Sequence, residues 1–149
     1  MKEIEVISEI RKFNRSYVRS IGLLQKTFLD TNYSLTESQV IFLVKEQGKT
    51  TATAINKVLQ LDEGYLSRII KKLISDSLLI KEQSQTDKRC FEIMLSPKGI
   101  EEQRKMDKLS SESVRAIISH LSETEQQELA GSFQRIMALL YKENRHKTS

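Results

Sequence analysis

The segment that decides the fold is residues 61–73, which read LDEGYLSRIIKKL. Asp62 is placed to cap a helix, because its carboxylate can accept backbone N–H groups of the first turn. Apolar residues then recur at steps of three and four, which is typical of one buried helix face: Leu66, Ile69, Ile70, Leu73 and Ile74. The outer face carries the groups that contacts with bases and phosphates require: Glu63, Gly64, Ser67, Arg68 and Lys71. The segment therefore predicts a helix over 63–76 that could enter a DNA groove.

Two shorter helices are predicted upstream. In LTESQV (35–40), Thr36 can cap and Gln39 can return the bond three residues later, as in a capping box. Gly48 is placed to end that helix. Thr50 or Thr51 then caps a short helix from Ala52 to about Leu59, and Gln60-Leu61 leaves room only for a tight turn. This order predicts a helix-turn-helix.

Downstream, the apolar period changes from that of a helix to that of a strand. Leu78-Leu79-Ile80 runs into a polar stretch, and Phe91, Ile93 and Leu95 then alternate with less apolar positions. Alternation by two predicts a β-hairpin, with the charged sequence Asp87-Lys88-Arg89 at its tip. Ser96 as cap and Pro97 at the first helical position predict that a helix follows.

Long amphipathic segments flank this central part. Apolar residues three or four apart predict one helix across 2–30, another across 97–120, and a last one that follows the capping box Ser122–Glu125. The fold class is thus mainly α: a winged helix-turn-helix with a two-stranded hairpin wing and long terminal helices. We predict one chain, 1–149, with a winged DNA-binding part (34–96), dimerisation helices (2–31 and 97–142) and a frayed tail (143–149).

Composition narrows the class of protein further. Of 149 residues, 38% are hydrophobic and 30% charged, and no apolar run is long enough for a membrane span. The basic excess lies in the middle, where residues 49–99 carry 9 basic and 6 acidic side chains. A single cysteine and two histidines give no basis for a disulfide framework or a metal site. We predict a cytoplasmic protein without cofactor, and not an enzyme, since phosphate loops and hydrolase or metalloprotease motifs are absent from the sequence.

Three motifs in this order resemble the MarR-type transcriptional regulators. They are LDEGYLSRIIKKL (61–73) as recognition helix, DKR (87–89) as the D-x-R wing, and LSPKG (95–99) as the exit from the wing. The stretches FNRSY (13–17), IGLL (21–24) and LTE (35–37) are similar to the subgroup that is sometimes fused to an acetyltransferase. No residues remain here for such a domain, so this chain would be the regulatory half.

The resemblance implies a homodimer on a pseudo-palindromic DNA operator, most often as a repressor, with a small-molecule cleft beside the dimer helices. Ser67 and Arg68 would lie in the major groove, with Gly64 allowing close approach. Arg89 would enter the minor groove, braced by Asp87 and next to Lys88, while Thr51 and Lys71 would meet phosphates. An amphipathic or aromatic effector could bind among aromatic and polar residues near the first helix: Asn14, Tyr17, Phe28, Tyr33 and Phe42.

Plainer interpretations stay open for each of these residues. Arg68 and Lys71 could form a solvated helix face, Asp87 and Arg89 an ordinary ion pair in a turn, and the aromatic rings simple packing. Cys90 could be idle, or Arg89 beside it could lower its pKa and make it a redox sensor. The alternative function is a helical protein–protein interaction module, or an antirepressor that kept the fold. The sequence names neither operator, effector, regulated genes nor the sign of regulation.

Overall fold

The computed structural model describes residues 1–22 and 28–142. Within them lie six helices and one two-stranded sheet, so the fold is mainly helical, as predicted. The elements follow in the order α1 (Glu3–Ser20), a 3₁₀ turn (Phe28–Asp30), α2 (Leu35–Gln47), α3 (Ala52–Leu59), α4 (Glu63–Ser75), β1 (Leu79–Gln83), β2 (Phe91–Leu95), α5 (Pro97–Ile118) and α6 (Glu123–Leu140). The chain divides into two compact units, Met1–Glu112 and Ser113–Ser149.

Helix α1 is shorter than the apolar stripe predicts. It ends at Ser20, and Gly22 follows with φ near +75°, a conformation that glycine adopts without steric cost. The predicted continuous helix over 2–30 is therefore wrong, because apolar spacing carries no information about where a helix ends. Residues 23–27, which include Leu24 of the stripe, lie outside the described residues. None of the α1 side chains is buried.

Helices α2, α3 and α4 surround the core of the first unit. Both helices after α2 begin at the predicted residues: the Thr51 hydroxyl accepts the Ala54 N–H at 3.1 Å, and the Asp62 carboxylate accepts the Tyr65 N–H at 3.0 Å. Their inward side chains pack with the base of the wing in one apolar cluster: Val40, Ile41, Val44, Ile55, Leu66, Ile69, Ile70, Leu73, Leu78 and Ile93. Burial of this kind is the main stabilising contribution in a small domain.

The start of α2 differs from the prediction. Ser34, not Thr36, is the N-cap: its hydroxyl accepts the Glu37 N–H, and the Glu37 carboxylate accepts the Ser34 N–H, both at 3.1 Å. Two overlapping S/T-x-x-E/Q patterns, two residues apart, are present in the sequence, and local chemistry permits either. The structure forms the first of the two capping boxes, in which Ser34 is the N-cap and Glu37 is the third helical residue.

The wing is an antiparallel hairpin in which Leu79 pairs with Leu95 and Gln83 with Phe91. Its inner face is apolar at the base, where Leu79 and Ile93 are both 2% exposed. Thr50 adds a short third pairing, with Ile93, through hydrogen bonds of 2.9 and 2.7 Å. This pairing attaches the wing directly to the chain between α2 and α3.

Helix α5 begins where predicted, with Pro97 at its first position and the Ser96 hydroxyl accepting the Gly99 N–H at 2.9 Å. Gly99 lies against the wing: a Cβ built on it would be 2.1 Å from the Leu78 carbonyl oxygen. Helix α6 starts from the predicted capping box, since Ser122 and Glu125 exchange hydrogen bonds of 3.0 and 3.1 Å. The predicted frayed tail, 143–149, lies outside the described residues.

Candidate nucleic-acid interface

The turn between α3 and α4 is fixed by a residue that the sequence reading missed. The Asn56 side chain accepts the Leu61 N–H at 2.8 Å and donates to the Leu61 carbonyl at 2.9 Å. Gln60 takes a left-handed conformation with φ of 54°, which turns the chain sharply after α3. An asparagine one turn before a tight turn is the available signal, because its amide both donates and accepts. Asn56 thereby sets the orientation of α4 relative to α3.

The outward face of α4 is the predicted one. Gly64, Ser67, Arg68 and Lys71 follow the i, i+3, i+4, i+7 spacing of a single helix face, and all four are exposed. The opposite face is the buried one that joins the apolar core. A Cβ on Gly64 would lie 3.7 Å from the Arg68 Nη1 and 3.2 Å from the Asp62 Oδ2. An added Cβ would thus be in ordinary contact with Arg68 and slightly tight against the Asp62 carboxylate, and its absence leaves this face open to close approach of a partner.

The basic side chains on the outward face of α4 and at the wing tip form no salt bridge with any described residue. Among the salt bridges of the described residues, none involves Arg68, Lys71, Lys88 or Arg89. Exposed cations that are not held in an ion pair contribute a positive local potential that attracts polyanions. Other basic residues of this unit, Lys45, Lys49 and Arg104, are paired with carboxylates.

Thr51 combines a structural role with the predicted phosphate contact. Its side-chain oxygen accepts the first-turn N–H of α3, and the residue is half-buried. The hydroxyl hydrogen can still donate to an external acceptor, because a hydroxyl has one donor and two acceptor positions. The phosphate contact stays a prediction.

Ser84 and Gln83 organise the wing tip, and neither was singled out from the sequence. The buried Ser84 hydroxyl accepts the N–H groups of Thr86 and Asp87, both at 3.3 Å. The Gln83 side chain donates to the Lys88 carbonyl at 2.6 Å. A serine at the end of a strand that enters a D-x-R turn is the only local signal, and it suggests a hydroxyl turn motif. These bonds hold the backbone of Asp87 and Lys88 at the end of the hairpin.

Asp87 acts differently from the prediction. Its Oδ1 accepts the backbone N–H of Arg89 at 3.0 Å, and no salt bridge joins the two side chains in the described part of the chain. Asp87 therefore braces the backbone of the tip rather than the guanidinium. The short loop explains this, because a backbone N–H two residues ahead is the nearest donor for an aspartate in a turn.

The surroundings of Cys90 oppose the redox alternative. The thiol is exposed and lies 3.6 Å from the Asp87 Oδ2. The negative charge of Asp87 and its hydrogen bond with the thiol raise the pKa of Cys90, whereas the redox alternative requires that Arg89 lower it. A raised pKa leaves less thiolate near neutral pH and so works against a redox role.

The five residues of the predicted effector cleft lie in different surroundings. Phe28 and Tyr33 are half-buried against the core and are joined by a backbone hydrogen bond of 2.8 Å. Asn14 is exposed on α1, where Tyr17 stacks on Phe13 with ring centroids 5.1 Å apart. Phe42 is 50% exposed on α2. Phe28 and Tyr33 are thus joined through their backbones, and the cleft as a whole stays a prediction.

A helix-turn-helix followed by a hairpin that packs on it defines a winged-helix protein. Residues 33–91, which include α2, α3, α4 and β1, match the family model described as MarR family. No curated protein sequence matches the chain significantly. No helix in the described ranges combines the length and apolarity that crossing a membrane requires.

Solved structures agree with this fold over nearly the whole chain. A cysteine-to-serine mutant of MarR from E. coli, complexed with operator DNA, superposes with a TM-score of 0.70 at 19% identity over 89% of this chain and 96% of that chain. FabT from Streptococcus pneumoniae, in complex with DNA, gives 0.67 at 20% identity over 93% and 97%. BpsR from Bordetella bronchiseptica, whose DNA binding is regulated by 6-hydroxynicotinic acid, gives 0.68 at 18% identity over 87% and 98%. The TM-scores establish the fold. At these low identities, membership of the acetyltransferase-fused subgroup stays a prediction.

Proposed function

We propose that the protein is a DNA-binding transcriptional regulator that acts as a homodimer, and as a repressor, on a pseudo-palindromic operator. The proposal rests on one observation. On a winged-helix scaffold, the outward face of α4 and the wing tip carry exposed basic side chains that form no ion pair within residues 1–22 and 28–142. A helix of this size fits the major groove, and a basic hairpin tip can reach the neighbouring minor groove. In this arrangement Arg68 reads a base edge, Lys71 meets phosphate, and Arg89 reads minor-groove width.

The test begins with selection of duplex fragments from the protein's own genome, followed by titrations of operator and random DNA at several salt concentrations. Arg68→Ala should cost about 1–3 kcal/mol on the operator and relax sequence preference. Lys71→Ala should weaken operator and random DNA alike and reduce the salt slope by about one unit. Arg89→Ala should be most harmful when the flanks are A·T-rich.

Arg104→Ala is the matched control, because Arg104 is an exposed helical arginine that pairs with Glu101 at 3.0 Å. It should bind DNA like the unmodified protein. If folded Arg68→Ala and Arg89→Ala proteins also bind the selected DNA like the unmodified protein, the helix and the wing are not the DNA-reading surface. The interaction-module function would then be favoured.

Dimer formation is supported by apolar side chains that each terminal helix exposes. On α1, Ile4 is 74% and Ile10 54% exposed; on α6, Met137 is 57% and Leu140 68% exposed. Exposed apolar residues at this density are typical of an interface. Sedimentation should give a mass of about twice 17.2 kDa, and Ile10→Asp or Met137→Asp should shift it toward the monomer. A folded monomer at micromolar concentration would leave the two recognition helices without the spacing of about 34 Å that successive major grooves require.

Release by a small-molecule effector is a further part of the proposal. Its support is that Phe28 and Tyr33 are each half-buried against the core, since ligand sites combine apolar walls with a few polar groups. A screen of phenols and aromatic carboxylates, including 6-hydroxynicotinic acid, should find a compound that weakens operator binding and raises thermal stability. If no compound changes either quantity, effector release is refuted for this ligand class.

A further inference from the structure

One ion pair inside the winged part connects α4 to the start of α2. The Lys72 Nζ donates to the Glu37 Oε2 at 2.6 Å. The other carboxylate oxygen of Glu37 accepts the Ser34 N–H at 3.1 Å. One carboxylate thus completes the cap of α2 and holds a side chain of α4, although the two residues are 35 positions apart in the sequence.

The pair is shielded on one side and supported by an aromatic ring. Glu37 is 8% exposed, and the Lys72 Nζ lies 5.8 Å from the centre of the Tyr33 ring, within cation–π distance. Burial raises the pKa of Glu37, but the hydrogen bonds from Lys72 and Ser34 outweigh it and leave that pKa below its usual value. The hydrogen bond with Glu37 raises the pKa of Lys72. The pair is therefore ionised in both members over the whole neutral range.

Lys72 differs from its neighbour Lys71 in what it faces. Successive residues on a helix point roughly 100° apart, so Lys71 lies on the outward face while Lys72 turns toward α2. Lys71 takes part in no salt bridge within the described ranges, whereas Lys72 is neutralised by Glu37. The two adjacent lysines thus have separate tasks.

We propose that Glu37 and Lys72 are positioning residues: their ion pair fixes the orientation of the α4 helix on α2, and so the aim of Arg68 and Lys71. The apolar face of α4 contributes most of the packing energy, but apolar contacts are not directional and tolerate small rotations. A hydrogen-bonded ion pair with one buried partner is directional. The effect on DNA rests on the proposed function; the effect on α4 itself does not.

The decisive variant is Glu37→Gln, because the glutamine oxygen can keep the capping box with Ser34 while its NH2 group, a donor, replaces the oxygen that accepts from Lys72. The variant therefore removes the ion pair and leaves the cap. Glu125→Gln is its matched control: Glu125 makes the same reciprocal bonds with Ser122, but no ion pair of the described residues includes it. Hydrogen exchange of the α4 amides, followed without DNA, reports how firmly the helix is held. We expect exchange at Ile70 and Leu73 to accelerate at least threefold in Glu37→Gln and to stay unchanged in Glu125→Gln.

Binding to the selected operator gives the second readout. Glu37→Gln should weaken it by 3- to 30-fold, about 0.7–2 kcal/mol at 1.4 kcal/mol per factor of ten. Lys72→Met should do the same with an unchanged salt slope, Lys72→Arg should restore binding, and the double variant should be no worse than either single one. A direct phosphate contact by Lys72 predicts the contrary: a slope lower by about one in Lys72→Met, and equal or tighter binding in Glu37→Gln.

Each outcome decides one of the two claims. Unchanged α4 exchange in Glu37→Gln, or acceleration equal to that of Glu125→Gln, overturns the positioning role whatever the DNA result. Faster exchange in a protein that selects no duplex DNA supports the positioning of α4 and refutes the proposed function. Faster exchange with operator affinity unchanged shows that the pair holds α4 without governing readout, which also overturns the inference.

Discussion

Replacing Gly99 by alanine should destabilise the protein, although alanine is the better helix former. Gly99 is the third residue of α5, and a Cβ there would lie 2.1 Å from the Leu78 carbonyl oxygen and 3.2 Å from the Leu95 Cδ2. The oxygen belongs to the backbone and already accepts the Ser96 N–H at 3.0 Å. Relief of the clash therefore requires α5 and the base of the wing to separate by about an ångström, since an ordinary C···O contact exceeds 3 Å.

The magnitude follows from three contributions. Overpacking of this kind costs about 1–3 kcal/mol, and weakening the Ser96–Leu78 hydrogen bond costs about 1 kcal/mol more. Helix preference returns at most about 1 kcal/mol. The free energy of unfolding of Gly99→Ala should thus fall by about 1–3 kcal/mol, which lowers the melting temperature by roughly 3–10 °C for a chain of this size.

Gly131→Ala is the matched control, because Gly131 lies in the middle of α6 and a Cβ there meets nothing within 4 Å. It should stabilise the protein by about 0.5–1 kcal/mol. Urea unfolding followed by circular dichroism, at one protein concentration for all variants, measures both changes. A Gly99→Ala protein within about 0.5 kcal/mol of the unmodified one would refute the close contact with Leu78.

Three further predictions concern titration and capping. Glu37 has a lowered pKa, so its contribution to stability is complete above its ordinary value of 4.5 and is lost as the pH falls through the lower, folded value. The free energy of unfolding, measured at several acidic pH values, should therefore depend less on pH in Glu37→Gln than in the unmodified protein. Lys72 has a raised pKa, so its contribution is complete below 10.5 and is lost only at higher pH. Asp87→Asn removes the charge that raises the pKa of Cys90, so iodoacetamide should alkylate that thiol faster near pH 8, and an unchanged rate would contradict the assigned cause. Thr51→Ala removes the α3 cap and should cost about 1 kcal/mol in urea unfolding, whereas Thr51→Ser should cost little.

Local chemistry is what the sequence determined well. Caps and breakers act within four residues of themselves, so Thr51, Asp62, Gly48 and the Ser122 capping box gave helix ends that the structure confirms. The wing followed from alternation by two, because that period has one meaning in a half-buried strand. The outward face of α4 followed from the same geometry, since burial of one helix face exposes the other.

Only the tertiary structure decided the features that join distant residues. The apolar stripe across 2–30 continues past Ser20, because spacing records which residues are apolar and not where a helix ends. The tip of the wing showed the same limit: Asp87 had both a backbone N–H and a guanidinium within reach, and the loop conformation selected the backbone.

The start of α2 is the clearest case. Ser34 and Thr36 were equivalent caps by local rules, and the structure uses the one that brings the Glu37 carboxylate to Lys72, 35 residues away. Burial of a carboxylate costs free energy unless a cation or hydrogen-bond donors compensate its charge. No sequence pattern within α2 or within α4 predicts this contact, because it forms only when the two helices pack against each other.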